Sequence, residues 1–77
     1  MKQPIYVPIY TEFIKLDSLL KLSGAAQDGA HAKRMIAQGE VSVNGERCLM
    51  RGKKLYPGDK AETGGNTYEV KARNVGE

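Results

Sequence analysis

Among side chains able to do covalent or metal chemistry, the 77-residue chain carries one histidine, His31, and one cysteine, Cys48. A nucleophile needs a base within hydrogen-bond reach and a zinc ion needs a set of ligands at defined spacing, and neither residue has such companions in the sequence. Cys48 reads as a small core hydrophobe and His31 as a surface residue. The acidic residues are scattered through turns and strand edges, with no pair placed for acid and base roles. Gly45 to Lys54 superficially matches a phosphate-binding loop, but six residues rather than four separate Gly45 from Gly52-Lys53, and Lys54 stands where Ser or Thr is required. No enzyme activity is expected, and no cofactor or metal.

Positive charge is what the chain concentrates. The net charge is +3 and the pI about 9.1, which favours an anionic partner without identifying it. From His31 to Lys54, the six cations Lys33, Arg34, Arg47, Arg51, Lys53 and Lys54 meet only Glu40 and Glu46, whereas the rest of the chain carries six basic and seven acidic residues. All the excess charge therefore lies in the middle third. A binding module fits this pattern better than a catalyst, because so short a chain buries a modest core and leaves little room for a cleft.

The elements that must position these cations follow from periodicity. Asp28 is a natural N-cap, and Ala32, Met35, Ile36 and Gly39 repeat at the spacing of one helical face, with Gly39 as terminator. At about 100° per residue Lys33 and Arg34 point away from that stripe, side by side toward solvent. After Gly39, Val41 and Val43 alternate with polar residues as in a half-buried strand. Asn44-Gly45 is a strong hairpin signal, since both central residues of a type I′ turn need positive φ. Glu46 to Leu49 can return antiparallel before the basic loop Met50 to Lys54.

Upstream, Asp17 is expected to cap a first helix in which Leu16, Leu19, Leu20 and Ser23 share one face and Gly24 supplies the left-handed stop. Thr11 to Leu16 reads as a short strand leading into that helix. Downstream, Pro57-Gly58-Asp59 is a turn, and Lys60 to Thr63 with Thr67 to Val70 form a second hairpin around Gly64-Gly65-Asn66. Residues 1–10, with Pro4 and Pro8, are expected to form an extended arm, residues 11–70 a single domain, and residues 71–77 a frayed tail. The fold class expected is α+β: two short packed helices against a small, mostly antiparallel sheet.

The ordered set Lys15-Leu16-Asp17-x-x-Leu20, Gly24, Ala32, Ile36, Gly39-x-Val41-x-Val43-Asn44-Gly45, then Leu55-x-x-Gly58-Asp59, resembles the S-four RNA-binding domain, named after the fourth protein of the small ribosomal subunit. The resemblance covers roughly positions 14 to 62. It implies the αL-type arrangement of two helices on a small bent sheet, in a stand-alone, bacterial-type member that binds structured RNA of the ribosomal or transfer class. It also implies that Lys15, before Leu-Asp, and the pair Lys33 and Arg34 face the RNA. One departure stands out: the family usually has Ser-Arg at the start of the second helix, where this chain has Asp28-Gly29. Arg51, Lys53 and Lys54 are placed to compensate from the following loop.

Cations on a rigid helix face beside a basic loop can straddle phosphates, with affinity set by counterion release and therefore by salt. Only Tyr56 lies near the basic loop, so shape recognition of folded RNA is expected ahead of base stacking. The expected partner is thus structured, ribosomal-class RNA, with no DNA and no membrane partner. The protein is expected to be monomeric and, with its single cysteine and no signal-peptide core, cytoplasmic. Two alternatives stay open: a ubiquitin-like sulfur carrier, which shares V-x-V-N-G-E followed by L-x-x-G-D, and a protein-interaction module docking on an acidic partner.

Overall fold

The computed structural model describes residues 3–73. Two amphipathic helices form where the apolar spacing requires them. The first, α1 (Leu16–Ser23), buries Leu16, Leu19 and Leu20 and stops at Gly24, whose φ of 86° is the left-handed conformation that ends the helix. The second, α2 (Gly29–Ala37), buries Ala32, Met35 and Ile36. Asp28 caps it as expected, its carboxylate accepting the His31 N–H at 2.8 Å. His31 has a structural task as well: its Nδ1 accepts the Gln27 N–H at 3.1 Å, which ties the interhelical loop to the first turn of α2. Gly39, at φ 76°, turns the chain out of that helix.

Among the described residues seven strands accompany these helices. They are β1 (Ile5–Ile9), β2 (Ile14–Lys15), β3 (Ser42–Val43), β4 (Glu46–Arg47), β5 (Lys54–Leu55), β6 (Lys60–Thr63) and β7 (Asn66–Ala72). Five of them make one sheet in the order β1-β7-β6-β3-β4, antiparallel except for the parallel β1–β7 pair; β2 and β5 form a separate two-stranded ladder. The inner face of the large sheet contributes Val7, Ile9, Val43, Ala61, Tyr68 and Val70 to the core shared with the helices. Leu55 joins this core with no exposed surface, so the small ladder is anchored from below.

Four local expectations change. Residues 5–9 are not a free arm but the edge strand of the main sheet, and β7 continues through Ala72, so residues 71 and 72 are strand; the rest of the tail expected over 71–77 lies, from residue 74, outside the described residues. Pro8 is tolerated because of where its nitrogen points. Arg73 N–H donates to the Ile9 carbonyl at 3.0 Å, so Ile9 and, by alternation, Val7 turn their amide groups toward β7, and the Pro8 nitrogen faces the open edge, where no ladder bond is lost. The strand expected over Thr11 to Leu16 shrinks to Ile14–Lys15, because Thr11 Oγ1 bonds the Phe13 carbonyl at 2.7 Å and bends the chain there. Asp17 is not the cap of α1. Lys15 holds that position, and Asp17 lies inside the first turn with its carboxylate on the Ser18 N–H at 2.8 Å.

The two turns are joined. Asn44 and Gly45 have φ values of 51° and 89°, as the type I′ turn demands. The Asn44 side chain accepts the Lys60 N–H at 3.0 Å and donates to Asp59 Oδ1 at 3.2 Å, while the other Asp59 oxygen accepts the Tyr56 N–H at 2.8 Å. One amide and one carboxylate thus fasten the β3–β4 turn to the turn at Pro57-Gly58-Asp59. Replacing Asn44 by Ala leaves the Lys60 N–H and the Asp59 carboxylate without this partner, and thermal or urea unfolding should show a loss of about 1–3 kcal/mol. Gly45→Val should destabilise by a similar amount through backbone strain alone, since no atom stands within 4 Å of an added Cβ. A Gly45→Val protein as stable as wild type in urea would contradict the turn assignment.

Candidate nucleic-acid interface

The clearest constraint on the basic residues lies at the start of α1. The cap residue Lys15 offers no side-chain bond to the first turn. The orphan amides are taken instead by the basic loop: Leu16 N–H donates to the Lys53 carbonyl at 2.9 Å and Asp17 N–H to the Arg51 carbonyl at 3.1 Å. Lys15 itself pairs directly with Lys54 across the β2–β5 ladder. Helix start and loop are therefore one unit, and the backbones of Lys15, Arg51, Lys53 and Lys54 are held beside one another.

Among the described residues no ion pair relieves the charge of these cations, although Asp17 is bonded through its backbone to the same loop. Like charges directly opposite on paired strands repel, and Lys15 and Lys54 occupy such a position. The Lys54 ammonium lies 4.8 Å from the centre of the Phe13 ring, and that ring in turn sits 5.9 Å from the Tyr56 ring. Cation–π attraction at an exposed site is worth about 0.5–1 kcal/mol and leaves the charge in place. Among the described residues no ion pair holds any of the seven candidate cations, and all seven are exposed. A phosphate placed here would meet positive charge without displacing a carboxylate.

Arg47 belongs to the same side by another route. Its side chain runs along the backbone of Gly39: a Cβ at that glycine would stand 3.2 Å from Arg47 Cδ and 3.3 Å from Nε. The absence of a side chain at Gly39 therefore lets Arg47 lie against the end of α2, where the helix dipole favours a cation. Arg47 and Lys53 also border one shallow groove of about 260 Å³, floored by Val43 and Cys48. Cys48 is half-buried against the core, in keeping with its reading as a small hydrophobe.

Lys33 and Arg34 are placed on the outer face of α2, opposite its buried stripe. No described contact joins their side chains to the loop patch, so the structure supplies two groups of cations on one small domain: a helical pair and a clamped loop cluster with Arg47 beside it. The Asp28-Gly29 departure is also accounted for. The Asp28 carboxylate accepts the His31 N–H as the cap of α2, and Gly29 presents no side chain at the first position of the helix.

Sequence reasoning missed Lys71 and Arg73, which were assigned to a tail. They lie on β7 and just beyond it, next to Tyr6 and Tyr10. The alternation Tyr6-x-Pro8-x-Tyr10 and Lys71-x-Arg73 was the available signal. Among the described residues there is no group of three or more His, Cys, Asp or Glu side chains able to hold a metal ion, and no helix is long and apolar enough to cross a membrane.

Comparison with known proteins gives a consistent result. The S4 domain matches residues 7–71. A Bacillus subtilis protein named "Probable ribosome maturation protein RlbA" is 44% identical over 59 residues, which cover 77% of this chain and 83% of that protein. The Escherichia coli protein YbcJ is 36% identical over 59 residues, covering 77% of this chain and 84% of its own length. The solution structure of YbcJ, described as revealing an αL motif involved in RNA binding, superposes with a TM-score of 0.70 at 30% identity, covering 94% of this chain and 92% of that one. The motif set from Lys15 to Asp59, the two-helix and sheet arrangement and these matches agree: the chain belongs to the S4 domain family.

Proposed function

We propose that the protein binds structured RNA of the ribosomal or transfer class, using Lys33 and Arg34 on α2 together with the loop patch of Lys15, Arg51, Lys53 and Lys54, and Arg47 between them. The observation that carries this reading is the backbone clamp at the start of α1, which holds like-charged residues together with no acidic partner. Such an arrangement costs folding energy unless an anion is bound, and a polyanion with regularly spaced charges matches two separated cation groups better than a single small ion does. The relatives support the choice of RNA, one being named for ribosome maturation and another described through an RNA-binding motif. The S4 domain match over residues 7–71 displaces the sulfur-carrier alternative.

The mode is positioning on phosphates rather than reading of base edges. The helical pair is rigid because its helix is packed through Ala32, Met35 and Ile36. The loop cations are rigid at their backbones because the loop carbonyls cap α1. Shape, set by the distance between the two groups, then selects folded RNA. No catalytic step is assigned. The protein acts in this reading as a cytoplasmic monomer bound to ribosomal RNA.

The double variant Lys33→Ala with Arg34→Ala should weaken binding to a structured RNA by about tenfold or more while leaving the thermal midpoint nearly unchanged, because neither side chain is buried. Titration between about 50 and about 200 mM salt gives a second readout: removing two phosphate contacts should reduce the slope of log K against log salt by about 2. An unchanged affinity and slope in the double variant would remove α2 from the interface. Arg51→Ala with Lys53→Ala should lower affinity in the same way yet keep the fold, since it is their carbonyls and not their side chains that cap α1.

A further inference from the structure

The geometry points to a second nucleic-acid surface on this domain: the solvent face of the sheet along β1 and β7, fitted to a single-stranded segment flanking the folded RNA. This rests on the RNA-binding reading above but uses none of its residues. Along β1, Val7 and Ile9 point into the core, so the alternate residues Tyr6 and Pro8 share the outer face, and Tyr10 continues their stripe just past the strand end. Tyr6 is 52% exposed and Tyr10 69% exposed, unusual for rings this large. Each has a cation from the neighbouring strand over it: Lys71 Nζ lies 4.6 Å from the Tyr6 centroid and Arg73 Cζ 5.2 Å from the Tyr10 centroid.

A ring with open surface and an adjacent cation supplies the two things a nucleotide offers contacts for, a base face to stack on and a phosphate to neutralise. The pattern occurs twice here, once on the sheet and once just past the ends of β1 and β7, with Pro8 as an apolar step between the rings and Lys71 its register partner. Tyr6 and Tyr10 are four residues apart, which at strand rise spans up to about 13 Å with the chain bending at Tyr10. Bases stacked in a helix are separated by only about 3.4 Å, so both rings can be engaged only by an extended strand with its bases splayed out, which is the form of RNA whose bases are free to stack on protein. The face also carries Glu69, opposite Tyr6, and Glu62; Lys60 faces Glu69 across the β6–β7 ladder, so the positive end of the surface is the Pro8–Tyr10 half beside Lys71 and Arg73. A groove of about 410 Å³ bordered by Tyr6, Tyr10, Leu22 and Arg73 opens along the free edge of β1 and continues this half.

The test compares two RNA probes on the full chain: a blunt-ended hairpin, and the same hairpin with a single-stranded oligouridylate extension. Wild type should prefer the extended probe by about tenfold, in line with stacking of one or two bases. Tyr6→Ala with Tyr10→Ala should abolish that preference and leave affinity for the blunt hairpin within about twofold, whereas Tyr6→Phe with Tyr10→Phe keeps the rings and should keep the preference. Lys33→Ala with Arg34→Ala should weaken both probes alike. The chain has no tryptophan and four tyrosines, so the difference in tyrosine fluorescence between wild type and the alanine pair reports on Tyr6 and Tyr10, and oligouridylate should quench wild type by a larger fraction than the alanine pair. An alanine pair that retains the full preference for the extended probe overturns the assignment. So does a wild-type dimer abolished by the same pair, which would give this face to a second copy. Failure of wild type to bind the blunt hairpin overturns the RNA-binding reading itself, while blunt binding without any gain from the extension overturns only the second surface.

Discussion

An eight-residue helix is too short to persist alone, and α1 lacks the side-chain cap that would satisfy its first turn. Its amides are met by carbonyls of Arg51 and Lys53, more than thirty residues downstream. Everything else follows from that clamp. It sets the path of the chain into β5, which delivers Leu55 to the core, and it fixes the basic loop against the start of the helix. Each neutral backbone bond contributes about 0.5–1.5 kcal/mol net, and the burial of Leu16 beneath the clamp, with no exposed surface, reinforces it. The arrangement also settles what the start of this helix cannot do. With the Leu16 and Asp17 amides engaged by carbonyls, this helix terminus is not an anion site by its backbone, so the positive field there comes from side chains.

A second constraint closes the other end of the same loop. Asn44 sits at positive φ in the β3–β4 turn, and its amide reaches the Lys60 N–H and the Asp59 carboxylate. The two motif fragments Val-Asn-Gly and Gly-Asp, fifteen residues apart in sequence, are thus halves of one hydrogen-bonded knot. Asp59 spends its charge inside this knot, and Asp28 spends its own on the cap of α2. Two carboxylates are thereby turned to structural work, while Glu46 stays beside Arg47 and Lys53 along the shallow groove without forming an ion pair among the described residues. Structural use of acids and functional exposure of bases are two sides of one distribution of charge.

The parts of the fold that local chemistry dictates were legible. The helical stripes, the left-handed stop at Gly24, the Asp28 cap and the Asn44-Gly45 turn each depend on residues within one or two turns of chain. The cation cluster was visible in composition for the same reason. What was not legible depends on a distant partner. Ile5–Ile9 has two reasons to look unstructured, Pro4 and Pro8, and becomes a strand only because β7 arrives beside it and leaves the Pro8 nitrogen on the open edge. Asp17 looked like a cap because the sequence could not show that the loop carbonyls would do that work. Lys71, Arg73, Tyr6 and Tyr10 appeared as two unrelated terminal segments and share a surface only through the parallel pairing of β1 with β7.

The amino-acid sequence by itself determined the element types, the inward faces of both helices and the identity of the cations, because periodicity, capping and positive-φ preferences act over a few residues. The tertiary structure alone decided which basic segments lie side by side and which aromatic rings face outward beside a positive charge. Those outcomes rest on backbone bonds between segments more than thirty residues apart, whose partners are chosen by the packing of the whole domain and leave no local signature.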